Sequence, residues 1–138
     1  LDGRKMSKSY GNAVDVFLPE KSLRKTLMTI KTDSTPVESP KDPSKDNVFA
    51  LYKLFATPAQ TADMEQRYLA GGYGYGHAKQ ALFEVMNEHL APARERYQGL
   101  LQRPDHLRDV LGDGARRARA VAVEVVERAR VACGLSGS

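Results

Sequence analysis

Apolar residues recur at every third or fourth position over most of the chain, and this spacing is typical of amphipathic helices. Leu23, Leu27 and Ile30 show it first, shortly after Pro19. Proline is favourable at the first position of a helix, because its fixed φ suits the first turn and the missing N–H would have no partner there. The pattern therefore predicts a helix over residues 19–31.

A loop and a second helix follow. Residues 32–46 contain three prolines and many Asp, Ser and Thr residues, a composition typical of a loop. The segment NVFALYKLFA comes next, with Val48, Leu51, Tyr52 and Phe55 at positions i, i+3, i+4 and i+7. This spacing predicts an amphipathic helix of about three turns.

A third helix has a well-marked beginning. Thr57 is the expected N-cap, Pro58 the first helical residue and Gln60 the third, which is the arrangement of a capping box. The helix is predicted to run to Leu69 and to stop at the Gly-Gly pair that begins at Gly71.

Two longer helices complete the prediction. The first extends from about Ala78 to Leu101, and Pro92 is expected to bend it or to interrupt its hydrogen bonding. The last begins near Asp113 and ends at Gly134. No convincing alternating strand and no sequence repeat is present, so five helices joined by short loops predict an all-α fold, a helical bundle.

Composition excludes several classes of protein. Hydrophobic residues make up 41% of the 138 positions, and no apolar run is long enough for a transmembrane helix. A single cysteine, Cys133, excludes a disulfide framework within the chain and suits a reducing compartment, so a cytoplasmic location is expected. The formal charge of +4 favours a polyanionic partner only mildly, because 17 acidic residues nearly balance 21 basic ones.

The candidate chemistry lies in the opening stretch GRKMSKSYGN. Lys5 and Lys8 stand three residues apart, with Ser7 and Ser9 on either side of the second lysine. In a compact loop both ammonium groups could converge on one polyphosphate, while hydroxyl and backbone N–H groups add neutral donors. The alternative from composition alone is a solvated basic turn, because short basic motifs often match by chance.

Aromatic and histidine residues elsewhere favour structural interpretations. Tyr73 and Tyr75, in the glycine-rich segment GGYGYG, are expected to cover an edge of the core rather than to stack on bases. His89 lies within the apolar arc of its helix, so we expect it to be hydrogen-bonded and partly buried. His77 and His106 have no Cys or His partners at metal-ligand spacing, which predicts no structural zinc site.

The final helix carries many arginines on its polar face. Arg116, Arg117 and Arg119 are placed near the predicted helix start, where the macrodipole disfavours cations and their presence hints at a use such as binding tRNA phosphates. Local ion pairs such as Glu124–Arg128 favour the alternative, a solvated charged face.

The letters of the opening loop resemble a known family. KMSKS matches the signature loop of class I aminoacyl-tRNA synthetases letter for letter. The following order of segments resembles the C-terminal part of bacterial-type tryptophanyl-tRNA synthetases over essentially the whole chain. These segments are TDSTPVESPKDPSKDNVFALYKLFATP, GGYGYGHAKQAL, ARERYQGLL and ARRARAVAVEVVERAR.

The resemblance implies a reaction and its participants. Such enzymes activate tryptophan with ATP and Mg²⁺, the metal being bound through the polyphosphate, and then transfer the amino acid to tRNA(Trp); they are homodimers. Lys5 and Lys8 match the two loop lysines and would act as the catalytic residues. Together with Met6, Ser7 and Ser9 they would form the ATP-binding set, with no metal ligand among them.

The resemblance also implies a division of the chain. Residues 1–18 would be the loop and the end of a Rossmann-type catalytic domain that is not included, 19–101 a helical anticodon-recognition domain, and 102–138 a C-terminal helix packing back toward the catalytic domain. The HIGH-type motif of the class is absent, and so is the tryptophan pocket. We therefore interpret the chain as part of a longer protein and expect no activity from it alone.

Two alternatives stay open at this point. One is the related tyrosyl-tRNA synthetase, which shares the architecture, although the segment from Lys41 to Phe55 favours tryptophan. The other is a non-catalytic RNA-binding module derived from a synthetase. The presence of both loop lysines and both serines argues against such a module.

Overall fold

The computed structural model describes residues 1–135, and its regular structure is helical throughout. No strand occurs among these residues, so the predicted all-α class is confirmed. The five α-helices are α1 (Glu20–Met28), α2 (Asn47–Tyr52), α3 (Pro58–Ala70), α4 (Tyr75–Leu101) and α5 (Pro104–Ala132), with 3₁₀ turns at Lys8–Tyr10 and Pro43–Lys45.

The chain divides into two compact units, Leu1–Glu95 and Arg96–Ser138, and α4 runs across the division. This division differs from the functional segments expected from the sequence, which stay a prediction. No helix of the described residues is both long and apolar enough to cross a membrane.

The hydrophobic core belongs to the first unit. Its largest fully buried side chain is Tyr68 on α3, and the other members come from all of the helices α1 to α4 and from Ile30. Burial of apolar side chains at this scale is the main favourable contribution to folding. The buried residues are Leu23, Leu27, Ile30, Val48, Phe49, Tyr52, Met64, Tyr68, Ala78, Leu82, Phe83 and Met86.

Local sequence signals explain where three helices begin or end. α1 and α3 lie where the pattern predicted them, and the capping box of Thr57 and Gln60 is present in both directions. α2 is shorter than predicted, because it ends at Tyr52 and the chain continues in tighter turns. The N–H of Leu54 donates to Leu51 O and that of Phe55 to Tyr52 O, each at 3.1 Å.

The predicted beginnings of the two long helices were too late. α4 starts at Tyr75 rather than at Ala78, and it remains helical through Pro92. α5 starts at Pro104, nine residues before Asp113, because proline fits the first helical position.

The loop between α1 and α2 is organised around a buried cation. Lys41 is only 3% exposed, and its ammonium group donates to the carbonyl oxygens of Pro36, Val37 and Ser39 at 3.0, 3.2 and 3.2 Å. Its backbone N–H donates to Tyr68 O at 2.7 Å. The side chain therefore satisfies polar backbone groups that helix or sheet would otherwise pair.

Candidate functional site

The candidate site is the opening loop, and its backbone turns sharply around the second lysine. Ser7 is extended, residues Lys8–Tyr10 form a 3₁₀ turn, and Gly11 closes it with an N–H···O bond of 3.2 Å to Lys8. Gly11 has φ = 62°, in the left-handed region that glycine adopts without steric cost. The glycine therefore favours the turn.

Asn12 links both ends of this loop through its side chain. Its carboxamide oxygen accepts the N–H of Ser7 at 2.8 Å, and its nitrogen donates to Asp2 at 2.9 Å and to Lys5 O at 3.4 Å. Asn12 is 4% exposed, so these bonds are shielded from competing water. The loop backbone is thereby held by a single buried amide.

Contacts from Arg4 fix Asp2, the hydrogen-bond partner of the Asn12 amide. Arg4 donates to Asp2 through Nε at 2.9 Å and through its terminal nitrogen at 2.6 Å, and its guanidinium lies 4.8 Å from the ring centre of Tyr10. The hydrogen bonds from Arg4 and then from Asn12 hold the pKa of the Asp2 carboxyl far below its usual range. The side chain of Asp2 is therefore a carboxylate anion at neutral pH.

The side chains predicted to bind phosphates project from this fixed backbone. Lys5 and Lys8 are both exposed, and within residues 1–135 neither ammonium group forms a salt bridge. The hydroxyls of Ser7 and Ser9 are hydrogen-bonded to each other at 2.8 Å. The loop thus presents two uncompensated cations and an adjacent pair of hydroxyls, which is a donor set suited to a polyphosphate.

The loop passes close to Asn47, the first residue of α2. A Cβ atom at Gly3 would approach the Asn47 side-chain oxygen to 3.2 Å, so the backbone at Gly3 passes close to α2. The Asn47 amide donates to Lys31 O at 3.1 Å. Met6, which is 40% exposed, borders a hollow of about 150 Å³ between loop and α2, where Leu51 supplies an apolar wall.

Of the other candidate residues, the tyrosines behave as predicted. Tyr73 and Tyr75 are partly buried and pack around Tyr68, with ring centres 5.9 and 6.2 Å away. Tyr75 also donates a 2.6 Å hydrogen bond to Asp33. The prediction that they cover an edge of the core is confirmed.

The prediction for His89 was wrong about its burial. The imidazole is exposed and meets the ring of Phe55 edge-on at 5.4 Å. Met86 is the last buried residue of α4, and the side chains that follow it on this helix are at most partly buried, so the core does not enclose His89. The residues described include no cluster of three or more His, Cys, Asp or Glu side chains that could hold a metal ion.

The arginines of α5 have a different setting from the one expected. Because α5 begins at Pro104, Arg116 and Arg117 lie well inside the helix, and the macrodipole argument for a special role does not apply. Both pair with Asp113, at 3.0 and 3.1 Å. Exposed local pairs of this kind are typical of a solvated helix face.

Sequence reasoning missed Asn12 and Asp2. Both flank the signature and were available as polar residues in a loop. The contact that gives them a role joins residues ten positions apart, and no helical or strand periodicity connects such positions. Only the geometry of the turn brings them together.

Comparison with known proteins identifies the family. The family model of class I tRNA synthetases (W and Y) matches residues 1–91, about two thirds of the chain. The match includes the whole loop and the core helices. The chain belongs to this family of class I tRNA synthetases.

Two individual relatives are both tryptophan–tRNA ligases. The chain is 52% identical to a tryptophan–tRNA ligase of Rhodopirellula baltica over 97% of its own length and 42% of the relative's. It is 40% identical to the corresponding ligase of Fusobacterium nucleatum, over 99% of this chain and 42% of that protein. The chain therefore spans less than half the length of these relatives.

Solved structures agree with the sequence comparison. The fold matches a crystal structure of tryptophanyl-tRNA synthetase from Campylobacter jejuni with a TM-score of 0.90 and 44% identity, over 97% of this chain and 43% of that one. A second structure of that protein, complexed with ADP and tryptophan, matches equally well, covering 42% of its chain. The resemblance drawn from the residues is thus confirmed.

Proposed function

We propose that the chain is the C-terminal part of a tryptophan–tRNA ligase and that its opening loop stabilises the leaving pyrophosphate when tryptophan is activated by ATP. The loop Lys5–Ser9 carries the proposal, because it offers two uncompensated ammonium groups and two neighbouring hydroxyls on an anchored backbone. The names of the relatives support tryptophan rather than tyrosine as the amino acid. The nucleotide in the similar complex supports ATP as the second substrate.

The proposed mechanism follows the movement of charge. The carboxylate of tryptophan attacks the α-phosphorus of ATP, the bond to the β-phosphate oxygen breaks, and negative charge builds on pyrophosphate. Lys5 and Lys8 meet that charge as it develops, so they stabilise the transition state more than the ground state. Ser7 and Ser9 bind the polyphosphate as neutral donors. No covalent bond to the protein forms, and the loop contributes by position and charge.

The adenosine is proposed to contact the backbone around Met6. Support comes from the hollow beside this residue, whose walls include Leu51 and Ala50 and which opens next to the lysine-bearing segment. An apolar surface beside phosphate-binding donors is the usual make-up of a nucleotide site.

Magnesium is proposed to arrive on the phosphates of ATP. The only carboxylate in the loop segment, Asp2, already accepts hydrogen bonds from Arg4 and Asn12, so the loop residues do not fit a magnesium site of their own. The chain then contributes no ligand to the metal, and its lysines act directly on the polyphosphate.

The remaining partners follow from the family. We propose tRNA(Trp) as the acceptor, a homodimeric and cytoplasmic enzyme, a helical anticodon-recognition segment over residues 19–101, and packing of residues 102–138 back toward a catalytic domain. Support for the last point comes from α5, whose Val121, Val125 and Val126 are 71%, 52% and 47% exposed. Valines in such a row are typical of a helix face that another surface covers.

The test of the function is ATP–pyrophosphate exchange by the full-length protein, with tryptophan and tyrosine in parallel. Exchange with tryptophan alone is expected. Exchange with tyrosine would retain the class and change the substrate. Absence of exchange with either amino acid would favour the non-catalytic RNA-binding module.

The role of the loop is tested by Lys8→Ala in the same protein. Adenylate formation is expected to slow by about a hundredfold or more, the usual effect of removing an electrostatic donor to a transition state. Tryptophan binding should change little. Lys21→Ala is the matched control, since Lys21 is an exposed lysine on α1 outside the loop. The proposed mechanism would be contradicted if Lys8→Ala weakened adenylate formation and tryptophan binding equally, or if it changed neither.

A further inference from the structure

Asn12 lies outside the five signature residues but contacts the backbone beside both lysines. Its amide donates to the carbonyl of Lys5 itself, and its oxygen accepts the N–H of Ser7, the residue that precedes Lys8. It is 4% exposed, whereas the two lysines are exposed. The buried amide therefore sets the backbone from which both cations project.

The amide is itself oriented by an anion. Asp2 accepts the Asn12 N–H at 2.9 Å, and Arg4 holds the carboxylate from the other side at 2.6 Å. A carboxamide can take two orientations that exchange its oxygen and nitrogen, and its hydrogen-bond partners decide between them. The Asp2 carboxylate, which can only accept, selects the orientation in which the oxygen faces Ser7.

We propose that Asn12 is a positioning residue for the loop lysines and that Asp2 fixes its orientation. This inference rests on the proposed function of the loop. A displaced ammonium group loses much of its effect on a transition state, because electrostatic stabilisation depends on groups already in place. Asparagine suits the position because it supplies one acceptor and one donor at once, which neither aspartate nor leucine does.

Three single variants of the full-length enzyme separate these roles. Asn12→Ala removes all the side-chain bonds. Asn12→Asp retains an acceptor for Ser7 but places a second carboxylate against Asp2, so the two repel. Asp2→Asn weakens the hold on Asn12. The double variant Asp2→Asn/Asn12→Asp restores a hydrogen bond between the two positions with its direction reversed.

The measurements distinguish positioning from general stability. We expect kcat for ATP–pyrophosphate exchange to fall about tenfold or more in both Asn12 variants, the usual effect of losing a buried hydrogen bond to a charged partner. Tryptophan binding should stay within about twofold, because it does not use the loop. Transfer from preformed tryptophanyl-adenylate to tRNA should also be unchanged, since pyrophosphate has already left.

Rescue and control variants complete the test. The double variant should regain part of the exchange rate lost in Asn12→Asp. Asn87→Ala is the matched control, because Asn87 also accepts a side-chain hydrogen bond, from Arg94, but lies on α4. It should exchange at the wild-type rate. Where Asn12→Ala fails to unfold cooperatively, Asp2→Asn and the double variant decide the question.

Two results would overturn the inference. One is an exchange rate in the Asn12 variants equal to that of wild type. The other is a parallel loss of exchange, tryptophan binding and transfer, which would indicate a folding role only. Failure of the proposed function is seen separately, because the wild-type protein would then show no ATP–pyrophosphate exchange with tryptophan. That result would overturn the inference as well.

Discussion

The hydroxyl of Tyr68 donates a 2.9 Å hydrogen bond to the carboxylate of Asp46, and both residues are buried. The same carboxylate oxygen accepts the N–H of Phe49 at 2.7 Å and so caps α2. Burial, followed by the nearby charge of Asp46, raises the pKa of Tyr68 well above its usual range. One carboxylate thus joins the start of α2 to the last turn of α3.

Removing that hydroxyl should destabilise the protein. Tyr68→Phe leaves the buried Asp46 short of one donor, and we expect a loss of about 1–3 kcal/mol in the free energy of unfolding. Urea denaturation measures it. Tyr10→Phe is the control, since Tyr10 is 60% exposed and should change stability by less than about 0.5 kcal/mol. An equal loss in the free energy of unfolding for Tyr68→Phe and Tyr10→Phe would show that the Tyr68–Asp46 hydrogen bond does not stabilise the fold.

The two glycines after α3 should respond differently to substitution. Gly71 has φ = 76° and ψ = 174°, a region that only glycine occupies readily, and an added Cβ would collide with the backbone carbonyl of Glu38. Gly72 has a similar φ of 77° but open space around it. Gly71→Ala should therefore cost more than about 3 kcal/mol and Gly72→Ala about 1 kcal/mol. Thermal unfolding of the two variants tests the order, and a reversed order would contradict the geometry.

The sequence predicted most helices because their periodicity and caps are local signals. α1, α3 and the capping box of Thr57 and Gln60 follow directly from residues that lie within one or two turns of each other. The start of α5 was wrong because Gly112 and Gly114 weaken the helical signal, although a single glycine in a long helix costs only about 1 kcal/mol.

The site was predictable in part. The residues KMSKS match a family signature letter for letter, so the lysines and serines could be proposed from the sequence. The pairing of Asn12 with Asp2 could not, because it depends on the left-handed turn at Gly11. Likewise, the depth of the core along α4 decides whether His89 is buried, and no periodicity along one helix contains that information.

Lys41 should be necessary for the loop between α1 and α2. Its ammonium group donates to three carbonyl oxygens, and its ring contact with Tyr75 is 5.3 Å. Lys41→Met keeps the apolar stem but leaves these carbonyls without a donor, so we expect a loss of about 2–3 kcal/mol in the free energy of unfolding. Urea denaturation measures the loss, and hydrogen exchange at the amide of Gly72, which donates to Val37 O, reports on the loop itself.

The control for that variant is Lys45→Met. Lys45 is 84% exposed in its side chain, and within residues 1–135 its one salt bridge is to Asp42 at the surface. Its replacement should change stability by less than about 1 kcal/mol. Similar losses of stability in Lys41→Met and Lys45→Met would mean that the buried hydrogen bonds of Lys41 do not stabilise the fold more than an exposed lysine does.

The hydrogen bond from Tyr75 to Asp33 should make stability depend on acid pH. That bond is the main cause that lowers the pKa of Asp33 from its ordinary value of 3.8, followed by the N–H of Thr35. A carboxyl whose pKa is lower in the folded state stabilises the fold above its unfolded pKa, and the contribution is lost as the pH falls through the folded value. Tyr75→Phe removes the bond and brings the folded pKa closer to 3.8.

The difference in thermal midpoint between wild type and Tyr75→Phe should therefore be largest near neutral pH and shrink below about pH 4. A difference that stays constant down to pH 2 would assign the effect of the hydroxyl to packing around Tyr68 instead of to the carboxylate.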